Sequence, residues 1–404
     1  MSSPVPGGRP VVALLTREWP PDVYGGAGVH VSELARALEP HVEVRVGCFG
    51  PPRHDPLVAQ AVEPWAALPA DREGAALRAL SVDLALAAGA RGADLVHSHT
   101  WYANLGGLLA AQLWEVPHVV TCHSLEPLRP WKAEQLGGGY RVSSWAERSA
   151  LESADAIVAV SAGMAADVVA AYPGVDPAAV SVIHNGIDAA RWGPDPRRDA
   201  QARFGIDPTR PYVMWIGRVT RQKGIAHLLD AVAHLDPDIE VVCCAGAADT
   251  ADLAAEVDAA VAALRTGRGG VHWIEGMLPH DDVVQLLSGA ACFVCPSTYE
   301  PFGLINLEAM ACEVPVVASA VGGIPEIVVD GVTGRLVPFD AAPDGSPADP
   351  ARFARDLAAA VGAVVGRTDR AELGRAGRRR VLERFTWEAV AADTAALYRR
   401  LLGR

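Results

Sequence analysis

No apolar run in the sequence approaches the length of a membrane-spanning helix, which is about 20 residues. Half of the 404 residues are hydrophobic, but charged residues and glycines interrupt most of the apolar stretches. The first ten residues, MSSPVPGGRP, also lack the apolar segment of a signal peptide. We therefore expect a soluble protein that is not exported.

A broad basic surface is also missing, because the formal net charge is −13. Nucleic acids and anionic membranes attract proteins through such a surface. The sequence therefore predicts no nucleic-acid partner and no membrane partner, although it allows a local basic pocket. The oligomeric state is open, and a homo-oligomer is compatible with the sequence.

Paired cysteine motifs are scarce. The seven cysteines include one C-x-x-C, from Cys292 to Cys295, and no second pair follows at the spacing of a zinc finger. Both residues lie in the apolar run ACFVCPS, so we interpret them as reduced cysteines of a buried strand rather than as a metal or redox site. Reduced cysteines are typical of the cytoplasm, which we predict as the location.

Short β-rich runs alternate with amphipathic stretches along the chain. The runs are PVVALL, VEVRVG, DLVHSH, PHVVTC, AIVAVS and VSVIHN in the first half, and YVMWIG, IEVVCCAG, VHWIEG, CFVCPS and PVVAS in the second. Near-continuous apolar strands joined by helices are typical of parallel sheets covered on both faces. We predict an α/β fold with two doubly wound domains, since 404 residues are enough for two cores.

The domain boundaries are predicted from composition. We place the first domain at residues 1–186 and a linker rich in Pro, Gly, Asp and Arg at 187–209. The second domain takes 210–385, and a final helix at 386–404 follows after its sheet is complete. Open α/β sheets bind ligands beyond the carboxyl ends of their strands, so we expect the site in the loops that follow the strands.

Two of these loops carry candidate anion-binding groups. In TREWPPDVYGGAGVHV, Gly25 and Gly26 lead into a helix, where backbone amides can approach an anion. That loop is neither G-x-G-x-x-G nor a P-loop, so a plain tight turn is the alternative. Arg218 and Lys223 follow the strand YVMWIG, and their two charges suit a diphosphate, with solvated loop residues as the alternative.

The stretch STYEPFGLINLEAMACEVPVVAS places Glu300 and Glu308 on either side of the start of a helix predicted at 304–312. Eight helical residues rise about 12 Å, which exceeds the separation of a glycosidase carboxylate pair. The spacing suits an elongated ligand with hydroxyls at both ends and a diphosphate between them, such as a nucleotide sugar. Two surface glutamates are the alternative. Backbone amides at the helix start are further anion candidates: Gly303, Leu304 and Ile305.

Four motifs together resemble the family 4 retaining glycosyltransferases of the GT-B fold, and the similarity extends over nearly the whole chain. They are HNGID, GRVTRQKG, EPFGLINLEAMACEVPVVAS and GGIPEIVVDGVTGRLV. TREWPPDVYGGAGVHVSELARAL and TCHSLEPLRPWKAEQLGGGY are similar to the actinobacterial glycogen synthase-like branch. The resemblance implies two Rossmann-like domains facing a central cleft, and ADP-glucose as the donor. In that branch the best-understood acceptor is glucose 1-phosphate, which gives maltose 1-phosphate for α-glucan synthesis.

The resemblance also implies a role for each matching residue. Glu308 would bind the ribose hydroxyls, and Glu300 would bind those of the transferred glucose. Arg218 and Lys223 would hold the diphosphate and stabilise its developing charge, while His123 would lie beside the anomeric carbon. The remaining implied donor contacts come from Gly25, Gly26, Gly303, Leu304 and Ile305.

One position departs from a neighbouring family. Starch and bacterial glycogen synthases carry a Lys-x-Gly-Gly motif in the first loop, whereas Val23 stands at the lysine position here. The phosphate role of that lysine must therefore be carried by Arg218 and Lys223. This difference favours family 4 over its neighbour.

Metal ligands are not evident in the sequence. His97, His99 and His123 end two strands, but no acidic residue accompanies them at a recognisable spacing, so we predict no zinc. Asp236-Pro-Asp238 imitates the D-x-D of metal-dependent transferases, but it lies between a helix and a strand, at the wrong end of the sheet. We expect a turn there, and a reaction that needs neither a metal nor another cofactor.

The acceptor is the part of the reaction on which the sequence is least decisive. Arg129, Trp131 and Lys132 follow His123 in one loop and are our candidates for binding a phosphorylated acceptor. Aromatic faces and hydrogen bonds would equally suit an α-glucan. The resemblance favours glucose 1-phosphate, with glycogen elongation as the alternative. A sugar-nucleotide epimerase and a non-enzymatic sugar-nucleotide sensor are further alternatives.

Overall fold

The computed structural model describes residues 8–71, 74–129, 132 and 137–403. The chain divides into two compact units. The first contains Met1–Gly186 together with Trp387–Arg404, and the second contains Ile187–Thr386. Each unit has its own parallel sheet and its own hydrophobic core.

Seven parallel strands form the sheet of the first unit. They are β1 (Val11–Thr16), β2 (Glu43–Phe49), β3 (Val58–Val62), β4 (Leu95–His99), β5 (His118–Cys122), β6 (Ala156–Ala159) and β7 (Val180–Val182). Their order across the sheet is β3-β2-β1-β4-β5-β6-β7. This is the order of a doubly wound Rossmann-like sheet, extended by one strand. The edge strand β3 is absent from the sequence prediction.

Helices cover both faces of this sheet. They are α1 (Gly26–Leu38), α2 (Gly74–Gly89), α3 (Trp101–Trp114), α4 (Gly139–Leu151) and α5 (Ala162–Ala171). Because successive strand residues point to opposite faces, β1 contributes to two cores. Val12 and Leu14 pack in the same cluster as Val31 of α1, whereas Ala13 and Leu15 pack with Leu86 of α2.

The second unit repeats the arrangement with six parallel strands. They are β8 (Tyr212–Val219), β9 (Glu240–Ala248), β10 (Val271–Glu275), β11 (Cys292–Cys295), β12 (Val316–Ser319) and β13 (Gly334–Val337). The order is β10-β9-β8-β11-β12-β13, which is again doubly wound. The prediction of two doubly wound α/β domains is confirmed, although the edge strand β13 is absent from it.

The helices of the second unit connect these strands and cover the sheet. They are α6 (Asp199–Arg203), α7 (Ile225–Val232), α8 (Ala251–Gly267), α9 (His280–Gly289), α10 (Leu304–Ala311), α11 (Ile324–Ile327), α12 (Pro350–Val365) and α13 (Arg370–Arg384). One core cluster joins Val213 and Trp215 of β8 to Leu228 of α7, Val257 of α8 and Leu357 of α12.

Residues 187–209, which the sequence analysis treats as a linker, belong to the second unit. Their short helix α6 is tied to α9, because the backbone N–H of Ala200 donates to Gln285 Oε1 at 3.0 Å. Arg203 also pairs with Asp282 at 2.6 Å. The Pro- and Gly-rich composition is therefore that of a packed surface segment.

The last helix, α14 (Trp387–Leu401), belongs to the first unit. Its apolar residues Val390, Ala391 and Leu397 lie in the same core cluster as Val31 and Leu34 of α1. Tyr398 is fully buried and hydrogen-bonds through its hydroxyl to His97 Nδ1 at 2.5 Å. This end of the chain is thus part of the first core.

In the part of the chain that the structure describes, no helix is both long enough and apolar enough to cross a lipid bilayer.

Candidate functional site

Each sheet has one place where its strand order reverses. In the first sheet it lies between β1 and β4, and in the second it lies between β8 and β11. Beyond the carboxyl ends of such strand pairs, open α/β sheets form a ligand-binding crevice. The residues predicted from the motifs follow these strands: Arg218 and Lys223 at the end of β8, and Glu300 after β11.

Lys223 and Glu300 form an ion pair at the switch point of the second sheet. Lys223 Nζ lies 2.6 Å from Glu300 Oε2, and Ser297 Oγ donates to the same carboxylate oxygen at 3.3 Å. Burial alone would lower the pKa of Lys223, but the adjacent Glu300 carboxylate raises it above its usual value. Lys223 therefore carries a positive charge beside a buried carboxylate.

Hydrogen bonds between two loops hold this ion pair in place. The N–H of Thr298 donates to the Gln222 carbonyl at 2.9 Å, and Gln222 Nε2 donates to the Tyr299 carbonyl at 3.0 Å. Gly224 ends the turn with a left-handed φ of +64°, and a Cβ there would lie 1.9 Å from the Pro296 carbonyl oxygen. Only glycine fits this position without displacing one of the loops.

Arg218 lies at the end of β8 and pairs with an acid that the sequence analysis did not identify. Its Nη1 atom donates to Asp249 Oδ1 at 2.8 Å, and about a third of the arginine side chain is exposed. Asp249 follows β9, the neighbouring strand, so the adjacency follows from the sheet order. Both predicted phosphate-binding cations thus have carboxylate partners in the second unit.

Helix α10 begins where the sequence predicts and ends one residue earlier, at Ala311. Its N-cap is Gly303, which has a left-handed φ of +108°, and Leu304 and Ile305 form the first turn. The amides at the start of a helix lack partners within the helix and can receive an anion. The helix therefore starts beside Glu300, whose Cγ would lie 3.2 Å from a Cβ at Gly303.

Glu308 lies on α10 and is partly buried. Burial raises its pKa to about 7, while the positive charge of Lys223 opposes the rise. Lys223 therefore acts electrostatically on both members of the predicted carboxylate pair, Glu300 and Glu308. No interaction of this kind is evident from the sequence spacing alone.

Asn306 is a polar residue of the site that the sequence analysis missed. It is fully buried on α10, and neither atom of its side-chain amide has a hydrogen-bond partner. A Cβ on Gly303 would lie 2.6 Å from Asn306 Nδ2, so the amide lies directly against the helix start. Its position inside the motif GLINLEAMA was the available signal.

In the first unit, the predicted glycine loop already holds a carboxylate. Glu18 Oε2 accepts hydrogen bonds from the backbone N–H groups of Tyr24 and Gly25, at 2.8 and 2.9 Å. Gly25 is the N-cap of α1, and Gly26 is its first, exposed residue. An external anion would therefore compete with Glu18 for the Gly25 amide, which the sequence analysis did not anticipate.

His123 follows β5 directly and meets two other histidines. Its Nε2 atom lies 3.1 Å from His99 Nδ1, where β4 ends, and its ring lies edge-on to that of His30 at 4.7 Å between centroids. Burial lowers the pKa of His30 to about 4 and the pKa values of His99 and His123 well below their usual range. A side-chain interaction with Asn185 opposes the lowering of the pKa of His30. All three rings are therefore neutral near pH 7.

His97 is not part of this group of ligand nitrogens, although the sequence analysis considered it with His99 and His123. Its Nδ1 atom is hydrogen-bonded to Tyr398 Oη, and its Nε2 atom is hydrogen-bonded to Thr121 Oγ1 at 2.7 Å. The structure brings His30 to His99 and His123 instead. Sequence reasoning missed His30 because it lies in the middle of an amphipathic helix and follows no strand. Its side chain is on the buried face of that helix.

The predicted acceptor residues have different surroundings. Lys132 is buried, and its Nζ atom lies 2.6 Å from Glu126 Oε1. Ser143 Oγ donates to the other carboxylate oxygen at 2.7 Å. Lys132 thus stabilises a buried acid, and its contact with an acceptor phosphate stays a prediction. Trp131 lies outside the described residues.

Arg129 is partly buried and donates from Nη1 to Ser124 Oγ at 3.1 Å. Its Nε atom is buried without a hydrogen-bond partner. The guanidinium of Arg129 therefore retains a donor that is not used within the described residues. It remains a candidate for contacting a phosphorylated acceptor.

The predicted buried strand at Cys292–Cys295 and the predicted turn at residues 236–238 are both present. Cys292 and Cys295 are buried free cysteines at the two ends of β11. Asp236-Pro-Asp238 forms a turn, in which Asp236 Oδ1 accepts from the Asp238 N–H at 2.9 Å.

Comparison with protein families gives two matches. The model for Glycosyltransferase Family 4 matches residues 24–191, and that for Glycosyl transferases group 1 matches residues 196–345. The chain is 52% identical over 394 residues to the alpha-maltose-1-phosphate synthase of Mycolicibacterium smegmatis. That alignment covers 96% of this chain and 99% of the relative. The Mycobacterium tuberculosis protein of the same name is 50% identical over the same length.

Solved structures show the same two-domain fold. Sucrose-phosphate synthase from Thermosynechococcus elongatus superposes with a TM-score of 0.81 at 27% identity, over 98% of this chain and all of that one. The catalytic domain of starch synthase IV from Arabidopsis thaliana, bound to ADP and acarbose, gives 0.73 at 17% identity, over 98% and 100%. The second likeness concerns the fold alone. Both units therefore have the Rossmann-like architecture of GT-B glycosyltransferases.

Proposed function

Since the chain belongs to glycosyltransferase family 4, we propose that it transfers glucose from ADP-glucose to glucose 1-phosphate, forming an α-1,4 linkage in maltose 1-phosphate. The observation that carries the proposal is the 52% identity, over 96% of the chain, to a protein named alpha-maltose-1-phosphate synthase. That name supports the product. The ADP-glucose donor and the retention of configuration are inferred from the resemblance of the motifs.

In the proposed donor site, the leaving diphosphate is bound by Lys223 and Arg218. Arg218 lies at the end of β8 and Lys223 in the turn that follows it, at the switch point of the second sheet, where phosphates of a nucleotide are expected. The ammonium group of Lys223 has three donors, so it can keep its bond to Glu300 while it contacts a phosphate oxygen. Its charge would stabilise the negative charge that develops as the diphosphate departs.

The two glutamates and the start of α10 would bind the ends of the nucleotide sugar. Glu300, held by Lys223 and Ser297, would accept hydrogen bonds from the hydroxyls of the transferred glucose. Glu308, eight residues further, would bind the ribose hydroxyls, and the Leu304 and Ile305 amides would contact the phosphates or the sugar. A carboxylate accepts hydrogen bonds from hydroxyls more strongly than a neutral acceptor does.

In the first unit, His123 is proposed to contact the reacting sugar and Arg129 the phosphate of the acceptor. His123 is held by His99 through a 3.1 Å hydrogen bond between ring nitrogens, which fixes its orientation. Gly25 and Gly26 remain proposed donor contacts, with Glu18 as the group that a donor phosphate would displace from the Gly25 amide.

A divalent metal is not part of the proposed reaction. Lys223 and Arg218 would contact the leaving diphosphate and stabilise its charge, which is the task a metal performs in other transferases. We also propose a cytoplasmic location, which the seven buried free cysteines support.

Release of ADP and of UDP, measured separately with a panel of acceptors, tests the proposal. We expect ADP release from ADP-glucose that depends on glucose 1-phosphate. Ready extension of glycogen without use of glucose 1-phosphate would replace the acceptor assignment with glucan elongation. Preference for UDP-glucose would overturn the donor assignment, and sugar conversion without an acceptor would favour an epimerase.

A further inference from the structure

Three histidines of the first unit converge from three different elements. His30 lies on α1, His99 is the last residue of β4, and His123 follows β5. One ring nitrogen of each lies within 4.8 Å of those of the other two. His30 and His99 are buried, whereas His123 is partly exposed, so the cluster adjoins solvent on one side.

Several ring nitrogens of this cluster lack a hydrogen bond of normal geometry, although Asn185 lies close enough to His30 to oppose the lowering of its pKa. Both nitrogens of His30 and Nε2 of His99 are buried without a hydrogen bond of normal geometry. Buried polar atoms in folded proteins are nearly always hydrogen-bonded, to protein or to ordered water. His30 and His99 therefore each have a ring nitrogen available to a ligand, and both rings lie in the cluster with His123.

The nitrogens have the chemistry and spacing of metal ligands. Imidazole suits Zn²⁺, Cu²⁺ and Ni²⁺, and three histidines with an open fourth position form a known type of zinc site. With Zn–N bonds of about 2.05 Å, nitrogens around a tetrahedral ion lie roughly 3.3 Å apart. His99 Nδ1 and His123 Nε2, which share a hydrogen bond that an ion would replace, are 3.1 Å apart, and one nitrogen of each of the three rings lies within 4.8 Å of the others. Burial lowers the pKa of each ring, so each has the neutral form that ligates.

We propose that His30, His99 and His123 bind one transition-metal ion of the Zn²⁺ class, and that the bound ion inhibits the enzyme. The ion would be held by one nitrogen of each histidine and by a water molecule in the fourth position. It is no cofactor of the transfer reaction. The inhibitory part rests on the proposed function, because His123 cannot ligate an ion and contact the reacting sugar at once.

Metal binding to the intact wild-type protein tests the site without any activity measurement. After dialysis against EDTA and removal of the chelator, we expect calorimetry to give one Zn²⁺ per chain, with a dissociation constant of about 10 µM or lower. Co²⁺ should give the strong visible absorption of tetrahedral coordination, and Zn²⁺ should displace it. Failure of Zn²⁺ to bind, or a weak octahedral Co²⁺ spectrum, would overturn the proposal.

Matched variants locate the ion. His30→Gln should weaken Zn²⁺ binding at least tenfold, whereas His54→Gln, at an exposed histidine of the same unit, should leave it unchanged. Circular dichroism would verify that His30→Gln is folded. His99→Asn provides a second variant with the same expected loss. Unchanged binding in folded His30→Gln and His99→Asn would show that the ion occupies another place.

Inhibition of ADP release by Zn²⁺, with recovery after EDTA, tests the second part of the proposal. We expect wild-type protein and His54→Gln to be inhibited at the same Zn²⁺ concentration. Binding of Zn²⁺ by calorimetry without loss of activity would overturn the inhibitory part and keep the site. If the protein had no transferase activity at all, the binding and spectroscopic results would still decide the site, so the two proposals fail separately.

Discussion

At the scale of single residues, the burial of Glu308 disfavours its charged form, whereas its proposed binding role uses that form. Its burial raises its pKa to about 7 from the ordinary value of 4.5, and its proposed role is to accept hydrogen bonds from ribose. Because the pKa is raised in the folded state, the folded protein binds more protons than the unfolded chain between these two values. Stability at this position is therefore lost as pH rises from about 4.5 to about 7.

Replacing Glu308 by Gln removes the charge and keeps the size. We expect the melting temperature of Glu308→Gln to exceed that of the wild type at pH 8, corresponding to roughly 1 to 3 kcal/mol, and to exceed it by less at pH 5.5. Calorimetry should show weaker ADP binding. His123→Ala provides the comparison, because it should lower kcat and leave ADP binding unchanged. Equal losses of ADP affinity in both variants would contradict the two assignments.

Arg129 and Lys132 differ in what their replacement would do. Arg129→Ala should raise the KM for glucose 1-phosphate about tenfold, which is about 1.4 kcal/mol, with ADP affinity unchanged. The exposed Arg141 is the matched control, and its replacement by alanine should leave this KM as it is. Lys132 is unsuited to the test, since its removal would leave Glu126 buried and unpaired. An unchanged KM in Arg129→Ala would remove Arg129 from the acceptor site.

Sequence reasoning located Lys223 and Glu300 because their motifs are contiguous and distinctive. It could not locate their partners, since the Lys223–Glu300 and Arg218–Asp249 pairs join residues 77 and 31 positions apart. Nor could it show that Lys132 is buried and pairs with Glu126. Lys132 Nζ lies 2.6 Å from Glu126, six residues earlier, and both residues are buried.

At the scale of elements, the turn after β8 determines where Lys223 lies. Gly224 has a left-handed φ of +64°, and any Cβ there would collide with the Pro296 carbonyl. The same turn carries Gln222, which is hydrogen-bonded to the loop that follows β11. The positions of Lys223 and Glu300 are therefore coupled through two loops of the second unit.

Gly224→Ala should disturb this coupling. We expect it to destabilise the protein by about 1 to 3 kcal/mol and to weaken ADP binding, because the turn must shift to relieve the contact with Pro296. Gly267→Ala is the control, since a Cβ at Gly267 meets nothing within 4 Å. Differential scanning calorimetry and ADP titration would report both effects. ADP affinity as high as that of the wild type in Gly224→Ala would contradict the proposed role of the turn.

The strands that the sequence analysis found are mainly the buried ones. β1, β4 and β5 are buried along nearly their whole length because helices cover both faces of the sheet. The two missed strands, β3 and β13, both lie at sheet edges, where partial exposure permits residues such as Gln60 and Arg335. Their apolar pattern is weaker because less of each strand is buried.

At the scale of the whole molecule, the chain contains two sheets of the same strand order, each with its own core. The sequence was sufficient to predict both, because strand and helix patterns alternate along the entire chain. It was insufficient for residues 187–209, whose composition resembles a linker although Ala200 and Arg203 are tied to α9. A composition rich in Pro, Gly and charged residues indicates that a segment is exposed to solvent. Such a segment can still pack against its own domain on one side.

The central claim is metal-free transfer of glucose from ADP-glucose to glucose 1-phosphate with retention at the anomeric carbon. Its most direct test is nuclear magnetic resonance of the product formed in the presence of EDTA. We expect maltose 1-phosphate with a new α-1,4 linkage, formed at the same rate as without EDTA. A β-linked product, or activity that EDTA abolishes and magnesium restores, would contradict the claim.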